Sequence, residues 1–113
     1  MPEQRIHDAI DFFDKLFSEG LPRNASLEVI EAYDIWTKLK DDDVTIKSKI
    51  AKLEELENQY RRATNPIQKA EIQEQIYRTK EEIKELEKQK EERKKLLKNK
   101  LESIFNEITS HGT

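Results

Sequence analysis

The stretch ENQYRRATNPIQKAEIQ, residues 57–73, decides how this chain folds. Apolar residues at heptad-like spacing lead into it at Ile46, Ile50, Leu53 and Tyr60, with Leu56 alongside. They resume beyond it at Ile72, Ile76, Thr79, Ile83 and Leu86. Between the two runs stands Thr64-Asn65-Pro66. Inside a continuous helix a proline removes a hydrogen bond and clashes with the preceding turn, at a cost of ~3 kcal/mol. At the first position of a new helix the penalty vanishes, because the N–H there would be unpaired in any case. Asn65 is a good capping residue, and Gln68 stands where a return bond to the cap would come from. The sequence predicts a helix ending near residue 63 and a second starting at Pro66.

If the two helices fold back on each other, residue i on one faces roughly residue 131 − i on the other, as in any short-looped helical hairpin. Asp41, Asp42 and Asp43 then fall opposite Lys88 to Lys90, and within a turn of Arg93 and Lys94. Leu27 and Ile30 fall opposite Leu101 and Ile104. Acid meets base and apolar meets apolar, which argues for the hairpin over a straight rod. Exposed ion pairs contribute only ~0–1 kcal/mol each, so the charges would set register more than stability.

Working outward, residues 2–19 read as an N-terminal helix. Ile6, Ala9, Ile10, Phe13, Leu16 and Phe17 recur at three- and four-residue steps, Phe12 widens the face, and Gly20 suits a left-handed cap. The second helix covers 25–63, with Asn24 or Ser26 as its cap and a possible break at the three adjacent aspartates, 41–43. Its first half carries Leu27, Val29, Ile30, Ala32, Tyr33, Ile35, Trp36 and Leu39, which leave no wholly polar face. A helix apolar all round needs neighbours on several sides. The third helix covers 66–109. The expected fold is all-α, a single helical domain over 1–113: a long antiparallel helical hairpin (a coiled-coil arm) with a three-helix head formed by the N-terminal helix and the open end of the hairpin.

Composition agrees. Ala, Glu, Lys, Leu and Arg make up 54 of 113 residues, the proportion typical of long helices. Cysteine is absent, so neither a disulfide framework nor a thiolate zinc site can exist. No apolar run approaches the ~20 residues of a membrane span, and the acidic N-terminal stretch reads as a helix rather than a signal peptide. A cytoplasmic location is expected. The net charge of −3 is unevenly spread: residues 1–43 carry 5 basic and 11 acidic groups, while residues 88–100 hold seven cations against two acids.

Catalytic constellations are missing. Gly20 and Gly112 are too far apart to form a phosphate loop. His7 and His111 lack the neighbours of a helical metal site or a nucleophile pair. Asp41–Asp43 does not open a calcium loop, since Ile46 takes the place of the turn glycine and Lys52 that of the bidentate glutamate. A helix-turn-helix in residues 1–43 would read DNA with a helix holding only Lys38 and Lys40 as cations. No enzyme activity, cofactor or metal is expected.

Known hairpin families differ at the residues that carry their function. Small helical-hairpin secretion substrates place Trp-x-Gly at the turn, whereas Trp36-Thr37-Lys38 lies mid-helix. Factors entering the RNA polymerase secondary channel carry an acidic tip, whereas Arg61 to Pro66 is basic. Prefoldin-like chains interpose β-hairpins, for which there is no strand pattern.

Two functional readings follow. In the first, the chain is a non-enzymatic protein–protein interaction module (adaptor, regulator or inhibitor) on a dimeric helical scaffold, with Val29, Tyr33, Trp36 and Phe12 at the partner or dimer interface. In the second, it is a nucleic-acid-associated coiled-coil protein whose Lys90, Arg93, Lys94, Lys95 and Lys98 bind phosphates. The absence of aromatic residues among those cations disfavours the second.

Overall fold

The computed structural model describes the backbone of residues 2–111 and the side chains of residues 9–106. Three helices make up the fold: α1 (Pro2–Leu16), α2 (Leu27–Arg62) and α3 (Pro66–His111). The protein is an all-α helical hairpin, and no strand occurs among the described residues. The chain divides into two compact units. The first comprises residues 1–40 and 91–113, the second residues 41–90. The side chain of Ile6, expected on the apolar face of the first helix, and those of His7 and His111 lie outside the described residues.

The first unit packs α1 against the start of α2 and the end of α3. Phe13 and Phe17 of α1 and the turn after it, Ala32 and Leu39 of α2, and Leu97 of α3 are buried together. α1 stops at Leu16, three residues short of the expected end. A tight turn follows, in which the Gly20 N–H bonds to the Phe17 carbonyl at 3.0 Å and Gly20 adopts the left-handed φ of 97°. Ser26 caps α2, its hydroxyl accepting the Val29 N–H at 3.3 Å. Asn24 instead makes a left-handed turn with φ 57°, a conformation asparagine tolerates better than most residues.

α2 passes through Asp41–Asp43 without a break. Successive residues on a helix are 100° apart, so the three carboxylates point in different directions. Asp42 is buried, and Asp43 pairs with Lys90 at 2.5 Å.

The second unit is a two-stranded antiparallel coil. Pro66 opens α3 as expected. The Asn65 side chain accepts the Ile67 N–H at 2.9 Å and its carbonyl accepts the Lys69 N–H at 2.9 Å. Gln68 makes no return bond to the cap among the described residues. Lys49 meets Glu82 at 2.5 Å, a pair whose numbers add to 131. In the first unit Lys100 meets Glu31, with the same sum.

The expected seams need two corrections. In the second unit Leu56 is buried and Ile50 is 40% exposed, so the seam runs 42, 46, 49, 53, 56, 60, alternating steps of four and three. Ile50 follows a seam position directly and is rotated off it by about 100°. In the first unit Leu27 and Ile30, expected opposite Leu101 and Ile104, are 69% and 44% exposed and lie outside the core cluster against which Leu101 and Ile104 pack. Glu28 and Glu31 take that side of α2 and face Lys100.

Two outcomes test this packing. Phe13→Ala should destabilise the protein by about 3–5 kcal/mol in urea denaturation, the usual cost of emptying a buried phenylalanine site, while Leu27→Ala should stay within ~0.5 kcal/mol. Cysteines at 46 and 86 should be joined within one chain by a short bifunctional maleimide at low protein concentration. In a straight helix those positions would be roughly 60 Å apart, so bridging only between chains would contradict the hairpin.

Candidate functional site

Asp14 of α1 organises the joint between α1 and α2. The Trp36 indole N–H donates to its Oδ1 at 2.8 Å, and Lys40 Nζ lies 2.8 Å from the same oxygen. The Lys40 ammonium is also 5.6 Å from the Trp36 ring centroid. Phe17 packs against both Trp36 and Tyr33, with ring centroids 5.4 and 5.1 Å away. Tyr33 and Trp36, at an i,i+3 spacing on α2, stack 25° from parallel. A carboxylate serving an indole N–H and an ammonium leaves neither donor without a partner, which allows Trp36 to sit half-buried here.

The four proposed interface residues therefore do not share one exposed face. Val29, Tyr33 and Trp36 are half-buried and pack against the core of the first unit. Phe12 is more open, at 38% exposure, and its ring lies 6.0 Å from that of Phe105. Phe105, next to Ile104 on α3, is 51% exposed. Ile104 takes the seam position, and its immediate neighbour is necessarily turned about 100° away. Leu27, Ile30 and Leu96 are further exposed apolar side chains of this unit.

The basic residues are largely committed to contacts within the protein. Lys90 pairs with Asp43 in the second unit. In the first, Arg93 donates to the Lys38 carbonyl at 3.5 Å, and Lys94 pairs with Glu91 one turn earlier at 3.1 Å. Lys98 is half-buried and Lys95 exposed. Lys100, which the site reading omitted, joins Glu31 and Glu28. Its position opposite Glu31 follows from the hairpin register, a signal already present in the sequence.

Two of these pairs shift proton affinity. Hydrogen bonds that it donates to Glu31 and then Glu28 hold the Lys100 ammonium above the ordinary lysine range. In the second unit the hydrogen bond and charge of Lys49 hold the Glu82 carboxyl below the ordinary carboxylate range. Among the described residues, no group of three His, Asp or Glu side chains could hold a metal ion, and no helix is long and apolar enough to cross a membrane. Comparison with protein-family models, characterised proteins and solved structures finds no match to this chain.

The two shifts have opposite signs with pH. Lys100 binds its proton more tightly when folded, so its contribution is complete below the ordinary lysine pKa and fades as pH rises through the folded value. Glu82 binds its proton more weakly when folded, so its contribution is complete above the ordinary carboxylate pKa and fades as pH falls through the folded value. In urea denaturation across pH, Lys100→Met should flatten the alkaline limb, and Glu82→Gln should flatten the acid limb.

Proposed function

We infer that this chain is a non-enzymatic protein–protein interaction module, an adaptor, regulator or inhibitor, acting in the cytoplasm as a dimeric helical scaffold. One observation carries the reading. The first half of α2 holds more apolar surface than its own unit covers, and Leu27 and Ile30, three residues apart on one side of the helix, are left 69% and 44% exposed. Exposed apolar side chains grouped on one helix are a common mark of an interaction surface. A second copy of the chain is the occupant proposed, since a two-fold contact needs only one such surface, repeated. Phe12, at the rim of the same unit, extends the apolar surface available to a partner.

The nucleic-acid reading has less to support it. It requires Lys90, Arg93, Lys94, Lys95 and Lys98 to face phosphates together, and Lys90, Arg93 and Lys94 already bond to groups within the protein.

Sedimentation equilibrium tests the proposal. The protein should behave as a dimer at micromolar concentrations, and Leu27→Glu with Ile30→Glu should shift it to monomer while helix content by circular dichroism stays the same. A wild-type protein that is monomeric throughout that range would overturn the dimeric scaffold.

A further inference from the structure

Over the rest of the second unit, acids and bases are both frequent. Residues 58–70 depart from that pattern. They include Arg61, Arg62 and Lys69 and no acid, in a chain where 24 of 113 residues are acidic. A cavity of about 260 Å³ opens in this stretch, lined by Gln59, Arg62, Ala63, Thr64 and Gln68. The chain reversal builds it, bringing Gln59 and Arg62 from the end of α2 beside Gln68 in the first turn of α3. Its polar groups are a guanidinium, two carboxamides and a hydroxyl. None of these four side chains has a hydrogen-bond partner among the described residues, whereas the neighbouring Arg61 reaches Asn58.

That chemistry suits a carboxylate. A guanidinium presents two parallel N–H donors matched to the two carboxylate oxygens, and carboxamide N–H groups and a hydroxyl can satisfy the remaining lone pairs. Nucleic acid would need an aromatic face for stacking. The aromatic residue of this stretch is Tyr60, and the Lys69 ammonium lies 5.2 Å from its ring centroid.

We propose that the cavity at the reversal between α2 and α3 binds a glutamate or aspartate side chain of an acidic segment in a partner protein, with Arg62 as the principal contact. The site lies wholly within the second unit and does not depend on the dimer proposed for the first.

The test uses the full chain, labelled with nitrogen-15, and a capped hexaglutamate peptide as the probe. Adding the peptide should shift the Thr64 and Gln68 amide signals, and a capped hexaglutamine peptide should not. Arg62→Gln should weaken binding roughly tenfold, the scale expected for losing a charged hydrogen bond. Arg62→Lys should fall between, since it keeps the charge and loses the fork. Arg62 is exposed, so both variants should keep the wild-type melting temperature. Lys95→Gln with Lys98→Gln should leave the affinity unchanged. Any of three results overturns the proposal: no shift at the reversal, equal affinity in wild type and both Arg62 variants, or inorganic phosphate or an oligothymidylate shifting the same amides at lower concentration than the peptide.

Discussion

Because proline has no N–H to give, Pro66 can stand at the start of a helix and not in the middle of one. Asn65 completes the constraint by accepting the N–H of Ile67 with its side chain and that of Lys69 with its carbonyl. Once the chain turns there, the length of the turn determines which residue of α2 stands opposite which residue of α3. Lys49 with Glu82, and Lys100 with Glu31, occupy positions that this register brings together. Neither pair is close in sequence. Each forms because a three-residue interruption places two long helices side by side in opposite directions.

In the second unit the seam mixes apolar and polar residues. Ile46, Leu56 and Ile72 are buried, but so are Asp42 and Thr79. Thr79 satisfies its hydroxyl locally, donating to the Gln75 carbonyl one turn earlier at 2.8 Å. Polar groups in such a seam reduce the apolar area buried. The ion pairs beside it favour one register: each is weak by itself, and each is correct in that register only.

The first unit achieves its packing differently. Buried aromatic rings from α1 fill the space between α2 and α3, with Phe13 and Phe17 stacked 5.5 Å apart. Asp14 converts the polar edge of that cluster into a specific contact by serving Trp36 and Lys40 together. The tryptophan is therefore oriented by a named acceptor, and not only by the shape of the cavity it fills. The same unit leaves Leu27 and Ile30 outside. A helix approached by two neighbours cannot cover apolar residues spread round its whole circumference.

Helix number, the reversal and the register were determined by the sequence itself, because each depends on local chemistry: heptad spacing, a cap, and a proline that a helix interior excludes. The first-unit core residues Phe13 and Phe17 were legible for the same reason, since they recur on one side of a 3.6-residue period. Only the tertiary structure decided which of two adjacent residues is turned toward the neighbouring helix. Ile50 against Lys49, or Phe105 against Ile104, is a choice of about 100° of helix rotation, and that rotation is set by all the contacts of both helices together. The same holds for the site residues. Trp36 reads as an interface residue from sequence spacing, and the structure adds Asp14, 22 positions away in the chain, as the acceptor of its N–H. The strip from Lys90 to Lys98 reads as a phosphate surface from sequence spacing, and the opposite helix adds partners for Lys90 and Arg93. Sequence spacing records where a side chain lies along a helix, whereas its partners depend on how neighbouring helices are rotated, and that is fixed only when they pack.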